Sequence, residues 1–418
     1  MSALLMTSVV IALLALRQTV LVILGFVLAI LYVTTTDDSI RFIAFDAWQA
    51  LNKDILLSIP LFILCGQLMS EGSIASRLVA LVRALVGPIP GGLAIATILS
   101  CATFAAVSGS STVTLLAVGS VMFPALIEAG YSRKFAIGAL CAAGTLGIIV
   151  PPSIPLILYG VMTGTSITDL FIAGVGPAIV LTLLLSLYSG LANCSRRQGT
   201  WSSKEIVATA KAGIWSLFMP FIILGGIYSG HFTATESAAV AVIYALLIET
   251  FVHRELNLQK INEVIYSTSK LLGSLFPVLM LAVCLTVYLT YEKSADAFIP
   301  ALAAWSETPA QFVLITNAVL LLVGTLIDIG SAILIFAPLL QPIAAEQGFD
   351  PVHFGISMIV NLEIGYLTPP FGLNLIVAMA AFNASFKEVC LAVIPFLVIM
   401  LIGLGIVVSL PALSLFLL

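Results

Sequence analysis

The sequence predicts an all-α polytopic membrane protein, built as an inverted repeat with two re-entrant hairpins and two broken transmembrane helices. Three observations predict it. Of 418 residues, 61% are hydrophobic and only 9% are charged, a composition suited to a bilayer rather than to a soluble core. Two apolar runs are each interrupted by a glycine and a Pro-Pro pair, Gly147-Ile-Ile-Val-Pro-Pro-Ser153 and Gly365-Tyr-Leu-Thr-Pro-Pro-Phe371. The segments around these interruptions repeat at a fixed interval, with flanking charges of opposite sign.

Proline lacks an N–H and clashes with the preceding turn, so each run must break as a helix at its Pro-Pro pair. Broken backbone at membrane depth is tolerated only where it is buried in protein or lines a polar cavity, so two such breaks mark a site. The surroundings are duplicated. A shift of 218 residues carries Pro151 onto Pro369, Gly130 onto Gly348, Glu128 onto Glu346, Pro124 onto Pro342 and Pro177 onto Pro395. Further upstream, a shift of 217 carries Pro60 onto Pro277. The repeated unit spans 55–177 and 272–395, the organisation of a repeat-built transporter.

Composition also excludes several classes. The longest polar stretches, 193–211 and 253–270, are too short for a water-soluble domain. With a net charge of −4 and few ionised groups, nucleic acid is not a partner. The six cysteines include no C-x-x-C pair and read as small buried residues. The N-terminal apolar stretch lacks the basic start of a secretory signal and reads as a retained helix.

In chain order, residues 1–54 hold N-terminal membrane helix or helices and an arm. Residues 3–34 are apolar apart from Arg17-Gln18, which allows either one long tilted helix or two short ones. Residues 40–53 mix Arg41, Asp46 and Lys53 with Phe42, Phe45 and Trp48, the pattern of an interfacial helix. Repeat 1 occupies 55–192. It opens with a crossing at 55–71 and a basic segment carrying Arg77 and Arg83. Two apolar runs then flank the polar tip Ser108-Gly109-Ser110-Ser111, so 92–128 reads as a re-entrant hairpin. One unbroken helix packed through small residues is the competing reading. The first broken helix spans 135–168, and a crossing at 170–192 follows.

Residues 193–270 hold two central crossings, 212–229 and 234–252, between basic loops expected on the cytoplasmic side. Thr233 and Glu236 fit a capping box at the second crossing. Repeat 2 occupies 271–418. Its hairpin, 310–345, has a tip near Gly324 to Gly330 around Asp328, and its flanks carry Glu292, Glu307, Glu346 and Asp350 against Lys293. Basic flanks on the first hairpin and acidic flanks on the second orient the repeats oppositely. The second broken helix spans 352–385. His231, His253 and His353 read as isolated residues near membrane ends, which argues against a metal centre or catalytic base.

These residues carry a family likeness. VSGSSTV at 107–113, GTLGIIVPPSIPLILYG at 144–160, GGIYSGHFTATESAAVA at 225–241 and HFGISMIVNLEIGYLTPPFGLNL at 353–375 occur in that order. With them the chain resembles the large membrane (M) subunit of tripartite ATP-independent periplasmic (TRAP) transporters, along its whole length. The resemblance implies a sodium-driven importer of organic anions, such as C4-dicarboxylates or sialic acid, in the bacterial cytoplasmic (inner) membrane. It implies two partners, a small membrane (Q) subunit and a periplasmic substrate-binding (P) protein. It also implies an elevator mechanism, in which hairpins and broken helices slide against a scaffold.

Sodium is hard and takes oxygen ligands, which unwound carbonyls and hydroxyls supply without net charge. In repeat 1 the candidate ligands are Ser108, Gly109, Ser110 and Ser111 at the tip, facing Thr145, Gly147, Val150 and Pro151 at the break. In repeat 2 they are Gly324 and Asp328 at the tip, facing Gly365, Thr368 and Pro369. Ser153, Thr163, Asn361 and Asn374 are candidate substrate contacts. The half-helices that restart after each break point N–H groups at the cavity, a seat for a carboxylate. For Asp328 two readings stand, a sodium ligand or the acceptor of a tip N–H, of which sodium coupling is favoured. For Glu363 two readings stand, a proton site or a group in a wet cavity.

Paired breaks in an inverted repeat point to a secondary transporter. A channel would show a continuous polar pore lining, and an enzyme would show a nucleophile with its base or a metal cluster. A single-chain carboxylate transporter coupled to protons or sodium is the remaining alternative.

Overall fold

The computed structural model describes residues 13, 16, 18–35, 41–197, 200–291 and 308–418. Among the described residues the regular structure is entirely helical, and ten helices are long and apolar enough to cross a membrane. The chain is a multi-pass membrane protein. Helix α1 (Val20–Thr35) is followed by α2 (Arg41–Leu51), a 3-10 turn, α3 (Ser58–Glu71) and α4 (Ile74–Val86). Helices α5 (Gly92–Ser108) and α6 (Ser111–Glu128) come next, then α7 (Arg133–Ile149) and α8 (Ile154–Thr163). Helices α9 (Ile167–Ala192), α10 (Ser203–Tyr228), α11 (Ala234–Leu247) and α12 (Leu258–Tyr291) lead to the second set. That set comprises α13 (Pro309–Leu326), α14 (Ile329–Glu346), α15 (Pro351–Gly365), α16 (Leu373–Phe382), α17 (Phe386–Ser409) and the short α18 (Ala412–Leu415).

Local chemistry starts these helices where they start. Ser132 caps α7 by accepting the Phe135 N–H at 3.2 Å. Asp350 caps α15, accepting from Val352 at 2.8 Å and His353 at 3.1 Å, with Pro351 in the first turn where its missing N–H costs nothing. Thr233 and Glu236 form the reciprocal capping box of α11.

The polar stretches 193–211 and 253–270 are shorter as loops than their composition implies. Ser202 accepts the Glu205 N–H and starts α10 at 203, while Asn257 accepts the Lys260 N–H at 2.8 Å and starts α12 at 258. Lys204, Lys211, Lys260 and Lys270 therefore ride on helices, whose lysine-bearing faces need no bilayer. Arg17 and the flank residues Glu292, Lys293 and Glu307 lie outside the described residues, so the hinge and much of the acidic flank lie there too. Helix α2, the expected arm, exposes Phe45 and Trp48 and turns Ala47 onto a small cluster with Leu28, Tyr32, Cys284 and Tyr288.

The core is built on the two helices that end at the breaks. Every residue from Ala136 to Ile149 in α7, and from Val352 to Gly365 in α15, is buried. Helices α5 and α6 both pack on α7, and α13 packs along α15. The half-helices are exchanged between repeats: α8 lies on α14, and α16 lies on α6, where Phe382 stacks on Phe123 at 4.5 Å. Arg133, at the start of α7, donates to the Phe382 and Asn383 carbonyls at 2.6 and 3.0 Å, neutralising the C-terminal end of α16.

A second joint ties α4 to α11. A π-helical turn, Ile248–Val252, places the fully buried Glu249 over the start of α4. Its carboxylate accepts the Ser73 and Ile74 N–H groups at 2.9 and 2.8 Å, and a Cβ at Gly72 would run into it. His253 is not isolated, because its Nδ1 lies 3.4 Å from this same carboxylate, one turn along the chain. Replacing Glu249 by Ala strands two buried donors and is expected to cost about 2 kcal/mol. A lowered thermal midpoint in detergent checks this, and Glu249→Gln, which keeps an acceptor, should recover part of the loss.

Candidate functional site: two tips and two breaks

Between α5 and α6 the chain turns through Gly109, whose φ of +59° suits glycine, and Ser110, which is extended. This first tip is seated on the first break. The Ile154 N–H points at the Gly109 carbonyl at 3.5 Å, and a Cβ on Gly147 would come within 2.5 Å of the Ser110 carbonyl oxygen. Ser108 and Thr114 share a hydrogen bond at 2.6 Å, and the Thr114 hydroxyl also lies 2.8 Å from the Ser110 carbonyl. Thr114 is thus a buried member of the tip that its place inside an apolar helix hid. Its spacing four residues after Ser110 was the available signal.

The second tip, Ile327-Asp328, caps α14 through the Asp328 carboxylate, which accepts the Ser331 N–H at 2.9 Å. It is seated on the second break: the Tyr366 hydroxyl accepts the Ile329 N–H at 3.0 Å, and a Cβ on Gly365 would lie 2.6 Å from the Gly324 Cα. Tyr366 is a further residue that sequence reasoning did not single out, since one tyrosine in an apolar run carries no pattern of its own. Thr368 donates to the Ile364 carbonyl at 2.9 Å.

Both tips open on one cavity of about 150 Å³. Residues 108–113 line it from the first tip, Asp328, Ile329 and Gly330 from the second, Tyr366 from the second break, and Ile154 and Pro155 from the start of α8. Ile63 and Gln67 of α3, Ile148 of α7, Leu158 of α8, and Leu271 and Leu275 of α12 complete the wall. Asp328 is the only charged residue among those lining it. Ser110 stands at the N-cap of α6 without a side-chain capping bond, leaving first-turn N–H groups of α6 free beside the cavity.

The remaining candidates are sorted by position. Asn374 donates to Ser111 at 2.5 Å, so the second broken helix reaches the first tip. Ser153 is buried and turned onto the Ile148 carbonyl, where it caps α8. Val150 and Pro151 form the first break, packed beneath Gly174 of α9. Pro369 lies in the second break, which is exposed. Of all the candidates only Ser108, Gly109, Ser110, Ser111 and Asp328 line the cavity, and three of the others are turned onto partners away from it. Thr163 sits at the far end of α8, bonded to the Tyr159 carbonyl and Thr165. Asn361 pairs with Asn317 of α13 at 2.8 Å, because the face of α15 that carries it packs on that helix. Thr145 donates to the Ala142 carbonyl at 2.6 Å and faces Glu363, whose carboxyl oxygens have no hydrogen-bond partner among the described residues.

An all-helical membrane protein with two interrupted helices and two tips around one interior cavity is a membrane transport protein. A family model for the DctM component of the tripartite ATP-independent periplasmic transporter matches residues 7–413. The chain belongs to this family, the large (M) subunits of TRAP transporters. It is 41% identical to the C4-dicarboxylate TRAP transporter large permease protein DctM of Pseudomonas aeruginosa, across 90% of this chain and 89% of that one. It is 33% identical to the ectoine TRAP transporter large permease protein TeaC of Halomonas elongata, across 87% and 86%. Identity is 36% to the isethionate TRAP transporter permease protein DctMQ of Oleidesulfovibrio alaskensis, of which the match covers 60%. The fold is shared with the Alcanivorax borkumensis YdaH transporter, with a TM-score of 0.66 at 14% identity over 98% of each chain.

The Gly324–Gly365 crossing is tight enough to test. Gly365→Ala should lower the thermal midpoint and abolish uptake, because only backbone could move to accommodate the new methyl group. Gly405→Ala, with nothing within 4 Å of its added carbon, is the control and should leave both unchanged.

Proposed function

We propose that this chain is the large membrane subunit of a sodium-coupled importer of small organic anions, working by an elevator movement in the bacterial inner membrane. One observation carries the reading: both tips converge on a single cavity whose polar groups, apart from Asp328, are neutral. Sodium would be held in repeat 1 by Ser108, Ser110 and the carbonyls of the first tip and first break. In repeat 2 it would be held by Asp328, Thr368 and the Gly324–Gly365 backbone. The fit rests on the donor chemistry and on the Gly147 and Gly365 crossings, which added side chains would fill. The bound cations would offset the charge of an anion that meets no Lys, Arg or His among the residues lining the cavity.

The inverted arrangement is supported by two further observations. Thr145 and Glu363, related by the 218-residue shift, face each other, as residues astride a two-fold axis do. The half-helices are exchanged between the repeats in matching fashion. Hairpins entering from opposite faces, with α3, α10 and α11 in the static frame, follow from that arrangement. The first break is buried while Pro369, Pro370 and Phe371 of the second are exposed, and such inequality between like halves is what alternating access requires. A small membrane subunit would complete the frame, and a periplasmic binding protein would deliver the anion.

Uptake into proteoliposomes should collapse when potassium or choline replaces sodium. Undiminished uptake under a proton gradient alone would replace sodium coupling with proton coupling. Ser110→Ala and Thr368→Ala should each shift the sodium activation curve to higher concentration by roughly tenfold, the scale of one lost ligand contact. The elevator is tested by joining Ile63→Cys in α3 to Thr112→Cys in α6 with a thiol crosslinker, on a background lacking native cysteines. Uptake should stop, whereas uptake that continues with the link in place rules out sliding of the tip past α3.

A further inference from the structure

The cavity between the tips has one polar side chain that belongs to neither tip nor break. Gln67 lies on α3, one turn from Ile63, and both residues line the cavity. Next to Gln67 in the chain is Gly66, where an added Cβ would approach the Ser108 carbonyl oxygen to 2.8 Å. That close backbone approach fixes how far the Gln67 carboxamide stands from the first tip. The carboxamide has no hydrogen-bond partner among the described residues. The Gln67 side chain is half-buried and opens on the cavity, and helix packing does not require it here, since Gly66 makes the packing contact. Nor does the repeat require it. The 217-residue shift carries Gln67 onto Cys284, which is buried against Leu28 and Tyr32 away from the cavity.

We propose that Gln67 is a specificity-determining contact, whose carboxamide N–H donates to a carboxylate or sulfonate oxygen of the cargo seated between the two tips. The proposal rests on the transport reading above and deepens it. Facing Gln67 is the first turn of α6, with free N–H groups beside Ser110, so an anionic group placed there meets donors from both sides. The two sets of donors differ in origin. The α6 donors travel with the tip, whereas Gln67 stays with the frame, so the amide reads the cargo only while the tips stand beside α3. Its other neighbours in the wall, Leu271 and Leu275, are apolar and give the anion nothing.

The test uses the chain reconstituted with its partner subunits and three probes, succinate, isethionate and ectoine. Gln67→Met keeps the length and removes the donor, so KM for whichever anion the wild type carries should rise roughly tenfold with kcat held within about twofold, as for loss of one charge-assisted hydrogen bond. Gln67→Glu adds a second negative charge to the cavity that holds Asp328. It should abolish succinate and isethionate uptake while sparing ectoine, which carries a cationic group. Gln67→Met, which adds no charge, should leave the sodium activation curve unmoved, and both variants should keep the wild-type thermal midpoint. Wild-type KM in Gln67→Met, or an equal loss for all probes in Gln67→Glu, overturns the assignment. A variant with a lowered midpoint is replaced by Gln67→Asn, which keeps the donor on a shorter stem and should show an intermediate KM. If the wild type carries none of the three and no sialic acid or other small organic anion either, the organic-anion reading fails first and the role of Gln67 falls with it.

Discussion

Proline-broken helices cannot face lipid, because each break leaves carbonyl and N–H groups that hydrocarbon cannot satisfy. Most of the packing here answers that constraint. Helix α7 and its counterpart α15 are buried along their length up to the breaks, and each break is met by a tip rather than by solvent alone. Close approach is achieved through glycine: Gly147 against the first tip, Gly365 against Gly324, Gly174 over the first break and Gly66 beside Ser108. Where a side chain would intervene, the backbone groups could not reach one another.

The same constraint explains why the polar groups of the cavity are neutral. Hydroxyls and carbonyls place no net charge in the membrane interior, whereas a fixed Lys or Arg there would need a partner of its own. Asp328 is the exception among the residues lining the cavity, and it is engaged by the first turn of α14. The basic residues do their work at the margins instead. Arg133 closes the end of α16 and pairs with Glu388 at 3.1 Å, holding the second repeat's half-helix on the start of α7.

A division of labour follows from which helices carry the breaks. The tips and interrupted helices form one intergrown body, tied by Asn374 to Ser111, by Arg133 to the end of α16, and by Tyr159, whose hydroxyl donates to the Pro351 carbonyl at 2.8 Å. Helices α4, α10 and α11 are joined by their own contacts, with Glu249 closing α4 and Arg77 reaching the Ala212 carbonyl of α10 at 3.2 Å, and α4 also packs on α5 and α6. The cavity lies where α3, packed along α11, meets the first body.

Much of this was readable in the sequence, for a physical reason. Glycine, proline and capping residues act on the backbone locally, so the first tip at Gly109-Ser110, the capping box of Thr233 and Glu236, and the ends of α7 and α15 follow from residues within a few positions of each. The membrane class likewise follows from composition, since the bilayer acts on every residue alike. Side-chain direction does not follow in this way. Asn361, Thr145 and Thr163 stand near the breaks in sequence, yet their helices turn them onto Asn317, Glu363 and Thr165. The partners Thr114 and Tyr366, the seat of Glu249 on α4 and the presence of Gln67 in the cavity depend on which helices lie side by side. That choice was made by packing between segments far apart in the chain, through contacts such as Gly66 on Ser108, and no local pattern records it.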